Sequence, residues 1–270
     1  MKICLGLLLF LSTTWCGSMV RRIPRAGSGA MAVWLAIGIA YATTVYSWSD
    51  VGQREYILVL LMLPYLVMAA LRLNGVSPAA WPAFTAGVIT VVGLSMKPQH
   101  ILIVAGIELL LACRIGLRRS VMRPEAAGGV IGGLAYCAAI AIFAPDYVTK
   151  VVPVVYRTYL DYQTLPLLTL IEPRRTVKLA ALLLLWAFMR RRLQYRSLCD
   201  VLAIAGVGAA AAYLIQQKGW QYQFLPADAY FILLFAVIVA DIFLQWTASL
   251  TKPALRMGFA GATALLSCAR

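Results

Sequence analysis

The sequence predicts an all-α, polytopic bundle of transmembrane helices, and three observations predict it. Hydrophobic residues make up 62% of the 270 and charged residues only 13%, with a mean hydropathy of +0.83. A soluble core cannot hide that much apolar surface, whereas lipid solvates it. Long apolar stretches alternate with short polar loops along the whole chain, and Lys and Arg gather in every second loop. Within lipid every backbone polar group must be satisfied inside its own segment, so the apolar stretches are helices. No segment shows the period of two that a barrel strand needs.

A span requires about 20 mostly apolar residues. Stretches of that kind run over 3–20, 28–47, 56–73, 78–95, 100–113, 125–144, 174–189, 198–216 and 227–248. A shorter one over 254–268 ends the sequence, so nine to ten spans are expected in a single membrane domain. The first stretch begins like a signal peptide, but Trp15 before Cys16 suits neither a small-residue cleavage site nor a lipoprotein site, and it reads as a retained helix.

Orientation follows from the basic residues. With Arg21, Arg22 and Arg25 on the cytoplasmic side, alternation places Arg72, then Arg114, Arg118, Arg119 and Arg123, then Arg190, Arg191, Arg192 and Arg196, then Lys252 and Arg256 on that side too. The outer loops hold fewer basic residues, and Asp50, Glu55, Asp146, Asp161, Glu172 and Asp228 nearly balance them. This assigns the chain to a cell membrane with loops 48–55, 96–100, 145–173 and 217–227 outside. The formal charge of +14 and pI near 9.8 are therefore a topology signal that also suits anionic lipid. No basic stripe with interleaved aromatics points to nucleic acid.

The six cysteines lie in or beside spans without any CxxC spacing, which supports neither zinc nor a structural disulfide. Gly128, Gly129, Gly132 and Gly133 make one helix suited to close packing.

Four polar segments share the outer side: SDVGQREY (49–56), MKPQH (96–100), the long loop 144–166, and QQKGWQYQFLPAD (216–228). Lys218, Gly219 and Trp220 offer a cation, a turn and an aromatic plate, and Tyr222 adds a hydrogen-bonding ring; a phosphate would take the cation and a sugar would stack on the indole. Lys97 and His100 flank Pro98, so two cations are expected to project from one short turn. His100 is the only histidine, which excludes sites built on several imidazoles. Asp50, Glu55, Asp146 and Asp161 are the acids available as a general base or to hold a divalent cation, although none has metal-ligand spacing and the sequence specifies no cofactor. Arg54 beside Glu55 reads as a local ion pair. Segment 147–163, with Tyr147, Tyr156, Tyr159 and Tyr162, reads as an amphipathic piece along the interface. Glu108, inside a span, reads as a proton relay, a partner for a basic group, or a protonated acid hydrogen-bonded across the bundle.

GQREY with LPYLVMAALR, then LSMKPQHILI, APDYVTKVVP with YLDY, and QQKGWQYQFLPA together resemble a bacterial family of multi-span proteins described as GT-C-type glycosyltransferases. That family is distantly similar to lipid-A aminoarabinose transferases and protein mannosyltransferases. The resemblance covers about residues 48–230. It implies a polyprenyl-phosphate-linked sugar donor, membrane lipid around it, and inverting transfer to an envelope acceptor. Lys218 and Lys97 would then hold the donor phosphate, Trp220 and Tyr222 would line the sugar, and an outer acid (Asp50, Glu55 or Asp146) would activate the acceptor hydroxyl. GT-C enzymes carry their acid in a first large outer loop, whereas RRIPRAGSG (21–29) is basic and read as inner. The expectation is therefore an amino-terminally shortened member. A small-solute or lipid transporter, resting on Glu108 and the glycine-rich helix, and a noncatalytic envelope scaffold are the alternatives. No inverted half-repeat supports the transporter.

Overall fold

The computed structural model describes the backbone of residues 2–161 and 164–267, and the side chains of 3–158 and 164–250. Among the described residues it is helical without strands. The helices are α1 (Lys2–Val20), α2 (Ser28–Ala40), α3 (Arg54–Leu73), α4 (Ala80–Met96), α5 (Ile101–Ile115), α6 (Leu117–Val121), α7 (Pro124–Phe143), α8 (Val152–Asp161), α9 (Leu167–Leu170), α10 (Pro173–Met189), α11 (Arg196–Gln216) and α12 (Leu225–Ser267).

Seven helical segments among the described residues are long and apolar enough to cross a membrane, fewer than the nine to ten expected. The difference lies in α4 and α10, each of 17 residues and so about 26 Å long, at the short end for a span. The last stretch is not a separate span either. Backbone helix continues from Leu225 through Lys252 and Pro253 to Ser267, so the loop expected there does not form.

Helix α3 is the axis of the bundle and is buried along most of its length. Pro64 sits inside it and lacks the N–H that would bond to the Leu60 carbonyl. Ser12 of α1 donates its hydroxyl to that carbonyl at 2.7 Å, a repair typical of proline in spanning helices. Helices α4 and α7 approach backbone to backbone. A methyl group at Gly87 would collide with the Glu125 carbonyl oxygen, and one at Gly128 with the Phe84 carbonyl oxygen. The glycine-rich stretch therefore works as expected, through Gly128 in particular. Gly128→Leu is expected to separate the two helices and to cost about 2–3 kcal/mol, read as a lower midpoint of thermal unfolding in detergent.

The contacts sort the loops to two ends. At one end Tyr195 donates its hydroxyl to the Ala26 carbonyl at 3.1 Å, and its N–H to Asp241 Oδ2 at 2.8 Å. The arginine loops meet here, and two buried carboxylates and one partly exposed one, Glu108, meet three of their guanidiniums. Glu125 takes Arg72 through two bonds of 3.0 and 3.1 Å. Asp200 takes Arg190 through two bonds of 2.6 Å, with Trp186 Nε1 also donating to it. Glu108 receives Arg123, the Tyr65 hydroxyl at 2.6 Å and the Ser120 hydroxyl. Of the readings open for Glu108, the structure shows the partner of a basic group. The Asp200 hydrogen bond holds the Arg190 guanidinium above its ordinary pKa. The other end carries the motif segments.

Candidate functional site

The motif-bearing end brings three of the four polar segments into one cluster and attaches the tail of the fourth. Glu55 opens the first turn of α3, and Lys97 follows the last residue of α4. Their side chains meet at 2.8 Å, buried to 1% and 6% exposure. Two expectations change here. Glu55 pairs with Lys97 and not with its neighbour Arg54, because residues i and i+1 of a helix point in different directions. Lys97 and His100 do not project from the membrane surface: they are 4% and 0% exposed. The 3-10 turn Pro98–His100 packs inward against α11, which folds its polar groups into the bundle.

The segment after α11 covers this pair. Gln217 adopts a left-handed conformation with φ of 51°, and Gly219 follows at 69°, so the chain reverses into the 3-10 turn Gln221–Phe224. Gly219 is required at that point, since a Cβ would meet Leu165 and Leu170. The Leu165 N–H donates to the Gln217 carbonyl at 2.8 Å, which is how the tail of the long loop attaches. Trp220 and Tyr222 stack with ring centroids 5.9 Å apart, and Lys97 Nζ lies 5.7 Å from the Tyr222 ring centre. Lys218 is 3% exposed beside them.

Several polar atoms here are buried without a hydrogen bond from the described residues. They are both ring nitrogens of His100 and both amide atoms of Gln223. Buried polar groups almost always have partners, so a cluster of unsatisfied ones has capacity for a polar molecule.

The 3-10 turn Gln221–Phe224 also joins this cluster to a lateral groove. Its Phe224 ring lies edge-on to Tyr213 at 5.0 Å and under the Arg175 guanidinium at 4.8 Å. Asp228, in the first turn of α12, lies within the electrostatic reach of Arg175 and Lys178 from α10, while the Arg175 guanidinium itself pairs with Glu172 at 3.5 Å. Tyr46 hydrogen-bonds Asp228, and burial together with that carboxylate pushes the Tyr46 hydroxyl above its ordinary pKa, so it stays protonated and donates. Below this mouth opens a cavity of about 550 Å³ between α2, α10 and α12. Trp34, Ile37, Leu182, Phe231, Phe235 and Val239 wall it, and from Asp228 to Val239 it runs about 16 Å along α12. A second lateral groove of about 420 Å³ lies between α4, α5 and α7, but its acids, Glu108 and Glu125, are already taken by arginines.

The other expected acids lie apart. Asp146 pairs with Lys150 one turn on at 2.9 Å, with both side chains more than 70% exposed. Asp50 is half-buried at the end of the 3-10 turn Trp48–Asp50, and among the described residues no ion pair or hydrogen bond of the cluster reaches it. The side chains of Tyr159 and Asp161, and residue Tyr162, lie outside the described residues. Helix α8 exposes Val152, Val154, Val155 and Tyr156. Among the described residues no three His, Cys, Asp or Glu side chains gather as a metal site would require. Asp228, Tyr46, Arg175 and Lys178 were missed as site residues. Asp228 was readable only as one acid in the charge balance of QQKGWQYQFLPAD.

No protein-family model matches the chain, and neither a curated protein nor a solved structure resembles it significantly.

Proposed function

We propose that the chain holds a polyprenyl-phosphate-linked sugar and transfers the sugar to an envelope acceptor, in the manner of a GT-C-type glycosyltransferase. The motif-bearing end would face the extracytoplasmic side of the cell membrane. The observation that carries the reading is the lateral groove: an apolar slot open to lipid, with the Asp228 carboxylate and the Lys178 ammonium lining one end and Arg175 one turn of α10 away. An isoprenoid chain fits the slot, and its phosphate falls beside Lys178 and Arg175. The sugar then extends toward Trp220 and Tyr222, where a ring stacks its C–H face, and toward the unsatisfied atoms of His100 and Gln223. Lys218, in the same loop, adds charge near the phosphate.

The chemistry balances on these groups. Asp228 takes the proton of the acceptor hydroxyl. The oxygen attacks the anomeric carbon, a new glycosidic C–O bond forms, and the old C–O bond breaks. The electron pair leaves on polyprenyl phosphate, whose charge Lys178 and Arg175 stabilise. Tyr46 orients the Asp228 carboxylate. Glu108, on which the transporter alternative rests, is bonded to Arg123, Tyr65 and Ser120.

Mass spectrometry of lipids that co-purify in mild detergent tests the assignment. Wild type is expected to retain a polyprenyl-phosphate species, and Lys178→Ala, at an exposed position, to lose most of it. Bulk phospholipid alone, unchanged by the substitution, would overturn it.

A further inference from the structure

The arginine-rich end carries two cavities side by side. The larger, about 540 Å³, is lined by Arg72, Arg118, Arg119 and Arg123, with Val76 and Met122 beside them. The smaller, about 230 Å³, is lined by Arg114, Arg190, Arg191 and Arg196. Ile115 lines both, so the two are separated by about the width of one side chain.

Charge at this end is in excess even after local pairing. Glu125, Glu108 and Asp200 are used by Arg72, Arg123 and Arg190. Arg114, Arg118, Arg119, Arg191 and Arg196 have no carboxylate partner among the described residues. The three ion pairs leave the first set of guanidiniums fixed in place, which preorganises the cavity walls. Arg123 gives a more pointed signal. It is 3% exposed, it lines the larger cavity, and its Nη1 is buried with no hydrogen-bond partner. A buried guanidinium N–H facing a cavity is made for an anionic oxygen.

The surroundings favour a lipid headgroup over a free anion. Gly116, at φ of 89°, turns the chain off α5 into α6. Helix α6 and the residue after it then show Leu117, Val121 and Met122 at 70%, 62% and 72% exposure, next to Arg118 and Arg119. Apolar and basic side chains side by side on a short helix at the end of a spanning bundle suit the headgroup boundary.

We propose that this end binds one anionic phospholipid bearing two phosphodiesters, of the diphosphatidylglycerol type, with one phosphate in each arginine compartment. The acyl chains run down the outside of the bundle, and the short linker between the phosphates passes Ile115. Such a lipid fixes the loops 116–123 and 190–196 to each other.

The experiment uses the full chain in phosphatidylcholine nanodiscs doped, at equal phosphate, with diphosphatidylglycerol or phosphatidylglycerol, and reads retained lipid by native mass spectrometry. One diphosphatidylglycerol per chain is expected to remain. Arg118→Ala with Arg119→Ala, or Arg191→Ala with Arg196→Ala, is expected to weaken retention about tenfold. All four side chains are exposed and outside the three ion pairs, so the fold should stand, as equal melting in phosphatidylcholine alone would certify. Arg21→Ala with Arg22→Ala removes the same charge from a loop outside both cavities and should change nothing. Equal loss in all three double variants would reduce the effect to general surface charge and overturn the site. Equal retention of phosphatidylglycerol would overturn the pairing of compartments, and displacement by inorganic phosphate would overturn the lipid assignment.

Discussion

Asp228→Asn is expected to reduce sugar transfer from a polyprenyl-phosphate donor by at least about a hundredfold, the usual contribution of a positioned general base. Asparagine keeps the shape of the side chain and can still meet the Tyr46 hydroxyl and the α10 cations. Donor retention and the unfolding midpoint should therefore stay near those of wild type. The measurement is transfer of labelled sugar to an envelope acceptor, paired with lipid retention on the same preparation. A parallel loss of donor would make Asp228 a binding group; unchanged transfer would remove it from the mechanism. Asp146→Asn and Asp50→Asn serve as controls, since both acids stand outside the cluster, and neither should matter.

The second large effect falls on stability. Lys97→Ala leaves the Glu55 carboxylate buried without its cation, and removing one partner of a buried pair costs about 3–5 kcal/mol. A marked drop in the unfolding midpoint is expected, together with partial loss of expression. Removing both charges with Glu55→Gln and Lys97→Met should recover most of the loss, because a neutral pair no longer carries an uncompensated buried charge. Thermal unfolding of the two single variants and the double variant gives the coupling directly. A mild effect of Lys97→Ala would mean that water reaches the pair.

Much of the architecture was readable from residue order because the membrane imposes a simple rule. Runs of about 20 apolar residues must be helices, and the arginine loops 21–25, 114–123 and 190–196 do gather at one end of the bundle. The rule fails where length is marginal, as in α4 and α10, and where a polar pair lies inside a longer helix. Lys252 and Arg256 suggested an inner loop, yet backbone helix runs through both, and through Pro253 between them, as proline permits in spanning helices.

The site was half legible for a different reason. Segments 49–56, 96–100 and 216–228 do converge, and Lys97, Trp220 and Tyr222, singled out by residue type, lie together there. Pairings were not legible, because they depend on which helices become neighbours. Glu55 meets Lys97 across 42 positions, and Arg72 meets Glu125 across 53. Adjacent Arg54 was the tempting partner for Glu55 and the geometrically wrong one. The groove was invisible because its walls, Trp34 to Ile37 and Phe231 to Val239, look like any lipid-facing residues until three helices leave a gap between them.

That groove is the centre of the account, and photo-crosslinking tests it most directly. A polyprenyl phosphate with a diazirine in its isoprenoid chain, irradiated with the protein in nanodiscs, is expected to label peptides of α2 around Trp34–Tyr41 and of α12 around Phe231–Val239. Excess unlabelled polyprenyl phosphate should suppress that labelling. Adducts spread evenly over the lipid-facing helices, α7 included, and indifferent to competitor would contradict it.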